Sequence, residues 1–310
     1  MSSVRILVVG AGAIGGYFGS RLIAAGRDVT FLVRPRRAEQ LRRNGLVVTS
    51  PLGDLNLPPP PLASAETLKE SYDLIILSSK SYDLEESIKD FAAAMGPKSH
   101  VLPLLNGLRH LDVLDARFGA QRVLGGLARI SSALDAEGHI HQLGTFNSLA
   151  FGPRRGSPTD IGDIAETLRV PGFDALLSTD ILHEMWEKWV FIAAAAATTS
   201  LMRATVGDIV AAGAQDIAVG LLQECGAIAA EHGFAPRDAA LKAGLSVLTA
   251  PGSAFTASML RDIEQGSRIE ADHIVGDLLR RASKVVNTPL LATAYAHLRA
   301  YEARRKREAP

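Results

Sequence analysis

The chain has 310 residues, 47% hydrophobic and 21% charged, enough to bury the core of one large domain or two ordinary ones. Acidic and basic residues balance at 33 each, for zero formal net charge. That argues against a nucleic-acid or membrane-surface protein, whose electrostatic footprint is usually basic. The single cysteine, Cys225, excludes an intrachain disulfide and a cysteine-based metal site, and it fits a reducing, cytoplasmic setting. No metal site is expected.

The first element is the run VRILVVG at 4–10. It is read as a buried strand and not as a secretory leader, because it is short and breaks into glycines. Further short β-branched runs, DVTFLV (28–33), DLIILSS (73–79) and HVLPLL (100–105), read as strands buried on both faces. Segments 13–25, 35–43, 83–94 and 109–118 read as the helices between them. Such alternation predicts a parallel sheet wrapped by helices, an α/β fold. The proline run at 58–61 must be a loop or sheet edge, since proline cannot donate to a ladder. Residues 122–152 add strands in quick succession, expected to be antiparallel and at one edge.

After residue 180 the strand signals fade. Ile217, Leu221, Leu222, Cys225 and Ile228, and later Ile274, Leu278, Leu279, Ala282 and Val286, recur at helical spacing. The chain therefore divides into 1–180 and an all-helical 181–310. No stretch reaches about 18 uninterrupted apolar residues, so no membrane span is expected. The tail EARRKREAP reads as a solvated helix end rather than a nucleic-acid patch.

Gly10, Gly12 and Gly15 form G-x-G-x-x-G directly after the first strand and at the opening of a helix. That context makes the motif a dinucleotide-binding fingerprint. Gly10 permits the tight turn, Gly12 lets backbone approach a pyrophosphate, and Gly15 allows close helix–strand packing. Ala13 and Ile14 then sit where a helix N-terminus offers N–H donors to phosphate. At the end of the second strand an NAD site usually carries an acid for the ribose 2′-OH. This chain has Arg34, Arg36 and Arg37 and no acid there. A guanidinium grips a 2′-phosphate that a carboxylate would repel, so NADP(H) is the expected cofactor, with Arg34 first and Arg37 second as the holder.

Lys188 lies between Trp186 and Trp189, at the head of an alanine-rich apolar run. Taken alone it reads as a snorkelling lysine at a helix start. The alternative is a proton donor in a pocket.

The chain resembles the ketopantoate reductases (2-dehydropantoate 2-reductases). The resemblance rests on GAGAIGG at 10–16, RPRR after the second strand and SSKSYD at 78–83. Beyond these come NGL at 106–108, EKW at 187–189 and SMLRDIEQGSRIE at 258–270. It implies a Rossmann-type N-terminal domain, an all-helical C-terminal domain, and NADPH-dependent reduction of ketopantoate, a step of pantothenate biosynthesis, or of a related 2-oxo acid. Lys188 matches the family's proton donor. Asn106 matches an asparagine at the nicotinamide end, and Lys80 a lysine on the cofactor side. Ser258 and Glu270 match residues that contact substrate, and Glu270 could also hold Lys188 charged. Burial would lower the Lys188 pKa, and an adjacent Glu270 would raise it.

The chain departs from this pattern at two positions. One and two helical turns beyond Lys188 stand Ile192 and Ala196, where the family typically carries asparagines that contact the substrate. Losing two such hydrogen bonds predicts a more apolar pocket, with Thr199, nearly a turn further, as partial compensation. The competing readings are a reductase of a different, more apolar 2-oxo substrate and a non-catalytic NADP(H) sensor. The expected partner is a small-molecule 2-oxo acid, with a homodimer as the assembly.

Overall fold

The computed structural model describes residues 4–154 and 160–308. They divide into two compact units, one comprising residues up to 105 and 110–182, the other 106–109 and 183 onward.

The first unit holds ten strands among its described residues: β1 (Arg5–Val9), β2 (Asp28–Leu32), β3 (Leu46–Thr49), β4 (Leu55–Leu57), β5 (Leu62–Ala63), β6 (Tyr72–Leu77), β7 (Met95–Pro103), β8 (Gly125–Leu134), β9 (Ile140–Gly152) and β10 (Asp174–Leu177). Its helices are α1 (Ala13–Ala24), α2 (Pro35–Asn44), α3 (Leu84–Phe91), α4 (Arg109–Phe118, whose first residue belongs to the other unit) and α5 (Gly162–Leu168). One sheet is wholly parallel, in the order β5-β2-β1-β6-β7. Ile6, Leu7, Val8, Leu74, Ile75 and Ile76 are fully buried, as the continuous apolar runs require of strands covered on both faces.

The later strands correct the edge-strand expectation. β8 and β9 do pair antiparallel, but they join a second, mixed sheet of order β10-β9-β3-β4, in which β9 runs parallel to β3 and to β10. Helix α1 packs on β1 and β2 on one side and on β3, β8 and β9 on the other. Its small residues make this possible. A Cβ on Gly16 would lie 2.5 Å from Ile140 Cδ1, and one on Gly19 would lie 2.4 Å from Phe31 Cζ. The proline run links β4 to β5 as a sheet-edge segment, and Pro61 O accepts from Phe31 N at 2.9 Å.

The second unit is helical: α6 (Ile181–Met202, from His183 onward), α7 (Val206–Ala211), α8 (Gln215–Glu231), α9 (Asp238–Leu248), α10 (Ser258–Glu264), α11 (Asp277–Arg281) and α12 (Pro289–Glu308). Residues Ala193–Ser200 of α6 are buried all round, so this helix forms core rather than surface. Thr205 and Asp208 form a capping box that starts α7. α12 opens on Pro289, and the Glu224 carboxylate of α8 accepts from the N–H groups of Leu290 and Leu291 at 3.1 and 2.8 Å. An anion there answers both the unpaired donors and the helix dipole. Immediately before α11 the backbone widens into a π-turn, Asp272–Gly276. The basic tail continues α12 with exposed side chains through Glu308; its last two residues lie outside the described ones.

No helix of the described residues is long and apolar enough to cross a membrane. No group of three or more His, Cys, Asp or Glu among them could hold a metal ion.

Candidate active site

The glycine loop joins β1 to α1. Gly10 adopts φ +90°, which an L side chain rarely tolerates. Gly12 is the N-cap of α1 and gives no side-chain cap, and the first turn contains no acid. The donors of Ala13 and Ile14 thus open a helix whose positive end meets no carboxylate of its own. A Cβ built on Gly12 meets nothing within 4 Å, so backbone here is approachable from outside. Gly15 is the opposite case: its Cβ would fall 2.0 Å from Ser78 Oγ and 2.3 Å from Gly10 O. Ser78, at the end of β6, holds the loop, with its Oγ 2.9 and 3.1 Å from the carbonyl oxygens of Val9 and Gly10. In sequence Ser78 is only the first residue of SSKSYD. The signal was a small polar residue at a strand end, opposite a glycine that packs against it. Open at Gly12, tight at Gly15 and uncapped at the helix end, the loop fits a dinucleotide pyrophosphate.

The arginines after β2 are used differently from one another. Arg37 donates from Nε to Ala11 O and from Nη1 to Gly138 O, each at 2.8 Å, tying the glycine loop to the β8–β9 turn. Burial pulls its pKa down, against the opposing field of Asp135. Arg37 is therefore a strut of the loop, which the sequence had ranked as a phosphate holder. Arg34 and Arg36 are exposed. Arg34 Nη2 lies 3.2 Å from Asp83 and 2.5 Å from Glu86, which gives its guanidinium a fixed rest position. Lys80, also exposed, precedes the short turn Ser81–Asp83 that leads into α3.

The other candidates lie in the helical unit. Asn106–Arg109 follow β7 in sequence yet belong with this unit, so Asn106, Lys188, Ser258 and Glu270 share one compact body. Lys188 and Glu270 are half-buried, Ser258 exposed, and Asn106 half-buried. Trp189, next to Lys188, is buried and donates from Nε1 to Ile274 O at 2.8 Å. Its ring lies 5.1 Å from that of Trp186, which also stacks on His232 and Phe234. The Asn106 carbonyl lies 2.6 Å from His273 Nε2. Glu270 O accepts from Ile274 N at 3.0 Å. Trp189 and His273 were missed as site-building residues. In sequence Trp189 is only a flank of Lys188, and His273 carries no motif.

Along α6, Ile192 is half-buried, Ala196 is buried, and Thr199 is completely buried. The Thr199 hydroxyl donates to Ala195 O at 2.8 Å and accepts from Ala257 N at 3.3 Å. Ala257 is the N-cap residue of α10, so Thr199 fixes the start of the helix that Ser258 begins. With its hydroxyl so engaged and its surface closed, Thr199 takes a structural place, not the substrate-facing one expected of it.

A glycine-loop sheet with an open helix end, in one chain with a helical unit that carries an asparagine, a lysine and a glutamate, fits a dinucleotide-dependent oxidoreductase. The family described as Ketopantoate reductase PanE/ApbA matches residues 6–156, and the family of its C-terminal region matches residues 180–302. The uncharacterized oxidoreductase YkpB of Bacillus subtilis (strain 168) is 38% identical over 304 residues, covering 97% of this chain and 99% of that protein. The 2-dehydropantoate 2-reductase of Pyrococcus horikoshii is 27% identical over 307 residues, covering 96% and 98% respectively. The crystal structure of 2-dehydropantoate 2-reductase from Geobacter metallireducens GS-15 superposes with a TM-score of 0.86 at 29% identity, covering 96% of this chain and 99% of that one. The chain belongs to the ketopantoate reductase family.

Proposed function

We propose that the protein is an NADPH-dependent reductase that converts the keto group of a small 2-oxo acid, 2-dehydropantoate or a more apolar relative, to an alcohol. The observation that carries this reading is the grouping of Asn106, Lys188 and Glu270 in one compact unit, despite separations of 82 residues or more between Asn106 and the others. A sensor that only binds a dinucleotide has no need of a proton donor. When bound, the dinucleotide supplies a hydride to the keto carbon. Gly12 and the first turn of α1 would hold its pyrophosphate. Arg34, exchanging Asp83 and Glu86 for a 2′-phosphate, would select NADPH.

The protein's own part is electrostatic and acid–base. As the carbonyl carbon gains the hydride, the oxygen becomes an alkoxide. The Lys188 ammonium stabilises that charge and gives the oxygen one proton, leaving a neutral amine that solvent reprotonates. Glu270 keeps the ammonium charged and oriented between turnovers, and the Asn106 amide orients the carbonyl. Ser258, at the start of α10, supplies a hydroxyl to the substrate carboxylate.

Ile192 and Ala196 bear on the substrate. Each hydrogen bond an amide would make there contributes on the order of 1–3 kcal/mol to a polar substrate. The methyl of Ala196 and the sec-butyl group of Ile192 instead favour an apolar substituent. The assembly we expect is a homodimer in the cytoplasm, which light scattering of the purified chain would test. The activity test is NADPH oxidation with 2-dehydropantoate beside branched and aromatic 2-oxo acids, with Lys188→Ala as control. Turnover that depends on Lys188 supports the reading. Dinucleotide binding with no turnover of any 2-oxo acid would sink it in favour of a sensor.

A further inference from the structure

We infer that the π-turn Asp272–Gly276 is the platform on which this active site is assembled, and that His273 is a positioning residue acting through Asn106. The inference rests on the reductase reading, which makes Asn106, Lys188 and Glu270 the active site.

A π-turn inside a helix is a rare local widening, often found where function requires it. Here Asp277 N reaches back five residues to Asp272 O. Three separate segments converge on this turn. The first is the Asn106 segment. Its carbonyl can only accept, so His273 Nε2 must donate, which fixes which ring nitrogen carries the proton. His273 is 8% exposed, and its burial pushes its pKa down, so the neutral Nε2–H form donates without a buried charge. The contact is close along the backbone as well. Gly107 has φ +72°, and a Cβ there would lie 3.1 Å from His273 O and 3.4 Å from its Nε2. Arg109 closes the segment's other end with an ion pair to Asp272 at 3.2 Å.

The second segment is α6, where the Trp189 indole is bonded to Ile274 O and fixes the backbone beside Lys188. The third is the approach to the turn itself, since Glu270 lies two residues before it and is bonded to Ile274 N. The turn is anchored from behind. Tyr295 Oη and Arg280 Nη1 reach Asp272 at 2.6 and 2.7 Å, and a Cβ on Gly276 would strike the Tyr295 ring at 2.6 Å. One five-residue turn thus sets the backbone positions of all three proposed catalytic residues. Because a misplacement of about 1 Å can cost about a hundredfold in rate, the hydrogen bond that seats Asn106 should be visible in turnover.

The test is a cycle on the full chain, using the 2-oxo acid that turns over fastest. His273→Phe keeps the ring volume and loses the donor; His273→Gln keeps a donor. We expect His273→Phe to lower kcat about ten- to a hundredfold, with the dissociation constant for NADPH unchanged. His273→Gln should recover most of that loss. In an Asn106→Ala background, His273→Phe should change kcat less than about twofold, because the side chain it positions is already gone. An equal loss in both backgrounds, or Gln behaving as Phe does, overturns the inference. Lys188→Ala in parallel separates the two ideas: full activity there refutes the proposed proton donor while the cycle still judges His273. Where no acid turns over, amide hydrogen exchange of residues 106–108 decides. Faster exchange in His273→Phe than in the wild type, with α8 and α12 unchanged, is the expected result, and identical exchange overturns it.

Discussion

The glycine loop makes a prediction in which stability and binding come apart. Gly15→Ala places a methyl carbon 2.0 Å from Ser78 Oγ and 2.3 Å from Gly10 O. Ordinary contact begins near 3.4 Å, so backbone must yield by about 1 Å. Overpacking of this kind costs about 1–3 kcal/mol. At about 2–4 °C per kcal/mol for a unit of this size, Tm should fall by about 2–12 °C. Gly12→Ala meets nothing within 4 Å and keeps an ordinary φ of −79°, so Tm should hold within about 1 °C. Its methyl instead occupies the space where phosphate would approach the N–H groups. Losing one charge-assisted hydrogen bond costs about 1.5–3 kcal/mol, or roughly ten- to a hundredfold in Kd. Thermal melts and fluorescence titration with NADPH read the two effects separately. Adding Ser78→Ala to Gly15→Ala removes the hydroxyl clash but also the Ser78 Oγ bonds to Val9 O and Gly10 O, and the carbonyl at 2.3 Å remains, so rescue should be partial. A Gly12→Ala protein that binds like the wild type, or a Gly15→Ala protein that melts like it, would refute this account of the loop.

Three further outcomes are expected. Arg34→Ala should weaken NADPH about tenfold or more while changing NADH little, since only the former carries the phosphate that a guanidinium grips; equal losses would remove Arg34 from the specificity account. Ile192→Asn with Ala196→Asn should raise kcat/KM on 2-dehydropantoate relative to apolar 2-oxo acids, and an unchanged ratio in a folded protein argues against the apolar-pocket reading. Glu187 adds a pH dependence. Burial alone would raise its pKa, but Arg237, donating from Nε and Nη2 at 2.8 and 2.6 Å and from its backbone N at 2.9 Å, holds it below the ordinary glutamate value. A lowered folded pKa stabilises above the unfolded value and loses that contribution as pH falls through the folded one. Glu187→Gln should therefore lower Tm near neutral pH and less at strongly acid pH, and melts showing the same deficit at both would contradict the pairing.

The parallel sheet was legible because β1, β2, β6 and β7 carry their burial in their own sequence. A run of apolar residues on successive positions, unbroken in β1 and β6 and interrupted only by Thr30 in β2, cannot be satisfied on one face of a strand. The second sheet was legible only in part. β3, β4 and β10 are three or four residues long and include half-buried or exposed positions, so they present no period to count. Their place comes from neighbours, β9 above all. The arginines after β2 show a second limit. Arg34 and Arg37 stand three residues apart, and both qualify as phosphate holders by charge. Only the carbonyl groups of Ala11 and Gly138, the latter a hundred residues away, assign Arg37 to the loop instead. Thr199 failed similarly: helical spacing set its face correctly, but the partner that occupies its hydroxyl comes from residue 257.

The candidates that the sequence marks, and Ser78, to which it assigns no role, share a location. Gly10, Arg34, Ser78 and Asn106 each follow the carboxyl end of a parallel strand, at β1, β2, β6 and β7. Ligands of open α/β sheets bind beyond those ends, so the chemistry sits next in sequence to an unmistakable apolar run. Lys188 and Glu270 have no such landmark; a lysine two turns into a helix and a glutamate between helices are ordinary choices. What they share is a backbone tie to the π-turn, through Trp189 beside Lys188 and through Glu270 O, and an i to i+5 bond leaves no mark on a pattern read at three and four residues. Asn106 belongs to both descriptions. Its position in sequence follows a strand, but its carbonyl is held by His273, 167 residues later. The strand end marks it in sequence, and the π-turn, through His273, holds its backbone carbonyl.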